Sequence, residues 1–255
     1  MNYKTILVKK KEGYAVITLH RPAEMNALSR QMRSELEESF ARLEEDREVR
    51  CIILTGGDYV FSAGLDLKEL SALGDTEIKD YFRTISKYQK KIYTCKKPVI
   101  AAVGGIALGG GFNLVTFCDL IIASESAIFG HPELKFGLNP LFNPLRQIVG
   151  MSKAKEITML GEPIGAREAM RIGLVNKVSA PEKFMAEAES MARELASRDP
   201  EAIEAVKRIS DIAPRLDKAS ALDLELDVEA LLFSSAERKV HLDIFLDALK
   251  KRKRK

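Results

Sequence analysis

Gly104 to Asp119 reads GGIALGGGFNLVTFCD, and it constrains the fold more than any other stretch of the 255-residue chain. Before it, Lys97-Pro98 punctuates the sequence and Val99 to Val103 forms a short apolar run, the mark of a buried strand. Gly109, Gly110 and Gly111 follow in an unbroken row, and Phe112 to Phe117 is compatible with a helix. A strand that turns into a helix through three glycines offers bare backbone N–H groups, which a ligand can approach closely. Those groups stand at a helix N-terminus, where partial positive charge favours an anion. The same triplet also suits tight packing of strand on helix, so a second signal is needed.

That signal lies upstream. Cys51-Ile52-Ile53-Leu54 is apolar, and Val60-Phe61-Ser62-Ala63-Gly64-Leu65-Asp66-Leu67-Lys68 turns into a short helical pattern over Asp66 to Leu73. Two strand-to-helix turns, each with a backbone donor, can converge on one oxygen. Downstream stands Phe129-Gly130-His131-Pro132-Glu133. In this order and at this spacing the three motifs resemble the crotonase family, the enoyl-CoA hydratase/isomerase superfamily, over nearly the whole chain from Tyr3 to Leu249. The resemblance implies an α/β fold, a crotonase-like spiral of strand–strand–helix repeats with a C-terminal helical oligomerisation region.

The remaining residues fit an α/β layered fold. Thr5 to Lys9 and Tyr14 to Leu19 are strand candidates around Glu12-Gly13, a hairpin. Ser29 reads as an N-cap, with Met32, Leu36, Phe40 and Leu43 at helical spacing after it. Thr76 to Thr94 is an amphipathic helix, Leu120 to Ala123 and Ala127 to Phe129 are strands, and alternation continues to about Val178. From Pro181 onward only helices are expected: Pro181 to Arg198, Pro200 to Ile209, Ala219 to Phe233 and Ala236 to Leu249. A boundary near Ser197 separates residues 1–197, the spiral core with the acyl-CoA site, from residues 198–255, a helical trimerisation region with a basic tail. By resemblance, the assembly is a homo-oligomer, either a trimer or a dimer of trimers.

Composition narrows the function classes. A net charge of +3 is too small to argue for nucleic acid, and the six basic residues Lys250 to Lys255 read as a solvated terminus. A phosphate contact or an anionic surface is the alternative use of that tail. Cys51, Cys95 and Cys118 fall in no metal-ligand spacing, and two lie in apolar segments, which suits a reducing compartment. No apolar run approaches the ~20 residues of a bilayer span, and no signal-peptide hydrophobic region stands near Met1. The expected location is the cytoplasm, without membrane attachment. No metal, flavin or nicotinamide is indicated, and coenzyme A enters as part of the substrate.

The resemblance also implies roles. The substrate is an acyl-CoA thioester, and the oxyanion that develops on its carbonyl meets the backbone N–H groups of Leu65 and Gly110. Coenzyme A is expected along Met25 and Ala27 in the Pro22 to Leu28 loop and along Ala63, Asp66, Leu67 and Lys68, with Phe245 and Lys250 reaching it from the last helix. Lys68 is equally readable as a solvated helix residue. Hydratases of the family carry one Glu after the glycine triplet and another in the FGxPE motif. Here the second is Glu133, but the first position holds Asn113. An amide can orient a water but cannot take its proton. One carboxylate suffices to move a proton from the α- to the γ-carbon of a 3-enoyl thioester, so isomerisation to the 2-enoyl thioester is favoured over hydration. Hydrolysis and decarboxylation stay open, as does a non-catalytic acyl-CoA- or RNA-binding protein. Phe129, Leu134 and Phe136 are expected around Glu133, His131 reads as a packing or hydrogen-bonding residue, and Leu138 to Pro144 as a stiff wall of the acyl pocket.

Overall fold

Parallel strands buried on both faces must read as unbroken apolar runs, and the runs at Cys51 and Val99 lie at the centre of such a sheet. The computed structural model describes residues 3–234, 242–244, 246–247 and 250. Two compact units are present, Met1–Ser197 and Arg198–Lys255. In chain order the first unit holds β1 (Ile6–Lys11), β2 (Gly13–Leu19), α1 (Arg30–Glu45), β3 (Val49–Thr55), β4 (Val60–Ser62), α2 (Leu67–Ser71) and α3 (Ile78–Tyr93). It continues through β5 (Val99–Val103), β6 (Ile106–Leu108), α4 (Gly110–Thr116), β7 (Leu120–Ser124) and β8 (Ile128–Gly130). Then come α5 (Asn143–Val149), α6 (Met151–Leu160), β9 (Ile164–Gly165), α7 (Ala166–Arg171), β10 (Lys177–Ser179) and α8 (Phe184–Ala196).

The strands sort into two sheets, ordered β1-β2-β3-β5-β7-β10 and β4-β6-β8-β9. Each consecutive pair, β3–β4, β5–β6 and β7–β8, gives its first strand to the larger sheet and its second to the smaller one. Repetition of that step is the crotonase spiral. β1 and β2 form the antiparallel hairpin, and β2, β3, β5, β7 and β10 pair in parallel.

Side-chain alternation divides the interior. Ile52 and Leu54 of β3, with Val99, Ala101 and Val103 of β5, join the main core shared with Met32, Leu36 and Phe40 of α1. The intervening Cys51, Ile53, Ile100 and Ala102 face the other way, where α8 lays Phe184, Ala188 and Ala192 against them. Ser29 caps α1 by accepting a hydrogen bond from the Met32 N–H. Arg33, one turn further on, is buried and donates to the Leu28 carbonyl at 2.7 Å and to the Tyr81 hydroxyl at 3.1 Å, tying α1 to α3.

The second unit contains α9 (Pro200–Ile212) and α10 (Lys218–Phe233), each capped by an aspartate, Asp199 and Asp217. No described residue of either helix is buried, and Leu222, Leu226, Leu231 and Phe233 stay exposed. Phe245 and residues 251–255 lie outside the described residues.

Candidate active site

The first glycine turn follows β4 and is stitched to the Pro22–Leu28 loop. Asn26 does most of this work: its Oδ1 accepts from the Arg21 N–H, and its Nδ2 donates to the carbonyls of Gly56 at 3.1 Å and Val60 at 2.8 Å. Met25 and Asn26 both take left-handed conformations, φ 51° and 53°. That fold-back lets Ala63 N–H donate to the Met25 carbonyl and Leu28 N–H to the Gly64 carbonyl. With the neighbouring groups engaged, the Leu65 N–H meets no acceptor among the described residues.

Asp66 fixes the far end of that turn. Its Oδ1 accepts from the N–H groups of Lys68 and Glu69 at the start of α2, and Arg21 Nη1 approaches its Oδ2 at 2.9 Å. Burial pushes the Asp66 carboxyl up, but the hydrogen bond from Arg21 and the two backbone donors outweigh it and hold the group below the ordinary aspartate value. The same Arg21 donates to the Ala27 carbonyl at 2.7 Å.

The second turn carries β6 into α4 through Gly109, at φ 52° and ψ −122°, a conformation that favours glycine. Gly110 is the first residue of α4, where an N–H has no intrahelical acceptor. The two turns touch: a Cβ on Gly110 would stand 3.3 Å from the Leu65 nitrogen. Leu65 and Gly110, whose N–H groups meet no acceptor among the described residues, both line one cavity of about 450 Å³.

Glu133 reaches the same cavity from a 3₁₀ turn, Pro132–Phe136, that β8 leads into. Its carboxylate rests against Gly109 and lies 3.2 Å from Nδ1 of the fully buried His131 through both oxygens. Asn113, from the first turn of α4, also lines the cavity; it is buried, and its Oδ1 has no partner among the described residues. The remaining lining is mainly apolar, with Phe82 and Ile85 of α3 and Phe136, Leu138 and Leu141, joined by the polar Ser86, Gln89 and Asn139.

The expected residues separate into two groups. Leu65, Gly110, Asn113, Glu133, Ala63 and Leu67 all line this cavity. Met25, Ala27, Asp66 and Lys68 do not. The Met25 carbonyl accepts from the Ala63 N–H of the turn, the Ala27 carbonyl accepts from Arg21 Nη1, and Asp66 is a helix cap and the partner of Arg21. Lys68 is exposed on α2. In the second unit Lys250 is exposed and pairs with Asp247 at 3.1 Å.

Two expected neighbours of Glu133 are elsewhere. Phe129 is turned into the core against Phe112, with ring centroids 5.7 Å apart, because β8 alternates its side chains between faces. Leu134 points out to solvent from the 3₁₀ turn, so of the three only Phe136 lines the cavity. Leu138, Asn139 and Leu141 from the expected stiff loop do form one wall. Sequence reading missed the part of the lining that comes from α3. The spacing of Phe82, Ile85, Ser86 and Gln89 was the available signal, since i, i+3, i+4 and i+7 share a helix face.

Comparison with known proteins agrees with the motifs. A family model for enoyl-CoA hydratase/isomerase matches residues 9–254. A short-chain-enoyl-CoA hydratase of Clostridium acetobutylicum is 35% identical over 98% of this chain and 97% of its own. A crotonyl-CoA hydratase of Syntrophomonas wolfei is 35% identical over 98% of both. Among solved structures, enoyl-CoA hydratase from Bacillus anthracis superposes with a TM-score of 0.92 at 30% identity, covering 96% of this chain and 97% of that one. The enoyl-CoA hydratase of Mycobacterium smegmatis gives 0.90 at 31%, with the same coverage.

Proposed function

This chain belongs to the enoyl-CoA hydratase/isomerase family, and from that premise we propose that it moves a proton along the acyl chain of an enoyl-CoA thioester, converting the 3-enoyl to the 2-enoyl form. One observation carries this reading. Among the described residues lining the cavity, Glu133 is the only ionisable side chain. Its carboxylate takes the proton from the α-carbon and returns it to the γ-carbon. The charge left on the thioester oxygen is held by the Leu65 and Gly110 N–H groups, each worth about 3–4 kcal/mol in such a role. The thioester is itself the electron sink, so the chemistry asks for no further cofactor. Because the described lining residues include no cation and are mainly apolar, the acyl group the cavity suits is uncharged.

Hydration of the 2-enoyl thioester is the second reading. The chain's relatives in Clostridium acetobutylicum and Syntrophomonas wolfei are hydratases, which favours it, and the Asn113 Oδ1, without a partner among the described residues, is a ready anchor for a water. Two measurements on the unmodified protein separate them: loss of 3-enoyl-CoA, and formation of 3-hydroxyacyl-CoA from 2-enoyl-CoA. Isomerisation without hydration supports the first; the reverse replaces it with the second. In both, Glu133→Gln lowers turnover by at least ~10²-fold with acyl-CoA affinity nearly unchanged. Near-normal turnover in that variant would remove Glu133 from the chemistry. The exposed leucines of α10 support burial against further copies of the chain, a trimer or a dimer of trimers. The cytoplasm is the proposed location; no helix among the described residues is long and apolar enough to cross a membrane.

A further inference from the structure

We propose that His131 is a positioning residue, whose imidazole holds the Glu133 carboxylate in the one orientation that serves proton transfer. The proposal rests on Glu133 being the acid–base group. The ring is fully buried at the end of β8, and its face lies against Phe112 at 4.7 Å between centroids. Pro132 follows directly and opens the 3₁₀ turn that carries Glu133. Nδ1 sits 3.2 Å from Oε1 and 3.2 Å from Oε2, so it faces the carboxylate symmetrically.

The other ring nitrogen fixes the tautomer. Nε2 is buried and has no hydrogen-bond partner among the described residues. An ionised carboxylate has no hydrogen to give, so the hydrogen shared between the two groups is on Nδ1. Nε2 is then a bare lone pair, a smaller burial penalty than an orphaned N–H. The Nδ1–H therefore donates to the carboxylate before the proton is taken. Once Glu133 is protonated on one oxygen, the same N–H donates to the other. The bond thus persists through the catalytic cycle and keeps the carboxyl group from rotating between the two carbons it must serve. Nothing in the reaction requires His131 to touch substrate.

The test is a set of point variants assayed on the preferred enoyl-CoA. His131→Phe keeps a ring beside Phe112 and removes the donor; kcat should fall about 10- to 100-fold, with KM within about twofold. His131→Asn places an amide N–H where Nδ1 stood and should recover most of the loss. His131→Gln extends its amide toward the Nε2 position and should recover less. In a Glu133→Gln background, His131→Phe should cost nothing further, because the group it orients is already inactive.

A His131→Phe enzyme with normal kcat, or Asn and Gln variants that are equally impaired, would overturn the proposal. So would a His131→Phe loss of the same size in both backgrounds, which marks a structural effect. If His131→Phe does not fold, the Asn and Gln pair carries the comparison. Failure of the underlying reading looks different: Glu133→Gln itself would then retain turnover, whatever the His131 variants do.

Discussion

A Cβ on Gly109 would stand 3.4 Å from Glu133 Oε1 and 3.5 Å from its carboxyl carbon. The glycine turn and the carboxylate thus lie in contact range of one another, and both line the cavity. Gly109→Ala would both strain a backbone that sits at φ 52° and ψ −122°, at about 1–3 kcal/mol, and place a methyl in van der Waals contact with the Glu133 carboxylate. The expected result is a folded protein whose turnover drops by about 10²-fold or more. Circular dichroism alongside the enoyl-CoA assay checks both halves.

Gly111, two residues on, should fail in the opposite manner. A Cβ there would meet the Ser62 carbonyl oxygen at 2.2 Å, backbone against side chain with nothing free to move aside. Gly111→Ala therefore forces α4 away from β4 and should cost about 1–3 kcal/mol of stability or more. A lower melting temperature or insoluble expression is expected. A fully stable Gly111→Ala protein would show that α4 can shift without penalty.

Asn113 separates the two candidate reactions. For an isomerase, Asn113→Ala should leave most of the turnover, since the amide touches no proton in flight. For a hydratase it should remove the anchor of the water and lower 3-hydroxyacyl-CoA formation by about 10²-fold. Asn113→Glu supplies the missing carboxylate on the same turn of α4 and is expected to introduce or raise hydration. Product analysis by chromatography reads all three.

Local pattern made much of this site legible, and long-range contact hid the rest. The buried strands announce themselves because a parallel strand covered on both faces must be apolar throughout, as Cys51 to Leu54 is. The two turns are visible because Gly64 and Gly109 both need positive φ, and few residues other than glycine supply it. Arg33 was invisible in this sense. On α1 it reads as a solvated charge, and the Leu28 carbonyl, Tyr81, 48 residues away, and the Glu69 carboxylate together account for its burial. Asn26 likewise reads as a loop residue until its amide is seen to bind Gly56 and Val60. Asp66 was read by motif alone, and its bonds to Arg21 and to the start of α2 could not be seen there, because Arg21 lies far away in the chain. The spiral itself leaves no repeat in the residues, because it resides in which sheet each strand joins.

The last prediction uses Asp66 and pH. Asp66→Asn keeps an oxygen able to cap α2 but removes the charge that Arg21 Nη1 meets at 2.9 Å. The pair is mostly buried, with side-chain exposures of 19% and 10%, so a charge-assisted bond there should contribute about 1–2 kcal/mol. Because the folded-state pKa of Asp66 is depressed, its contribution is present in full above the unfolded value of about 3.9. It is lost as pH falls through the lower, folded value. The unmodified protein should therefore melt a few degrees above Asp66→Asn at pH 7, by roughly 2–4 °C per kcal/mol for a chain of this size. The gap should hold down to about pH 5 and close at more acid pH, where both proteins carry a neutral group at this position. Thermal melts of the two at pH 7, 5 and 3 decide it. A gap that stays constant across the series would show that Arg21 and Asp66 do not interact through charge.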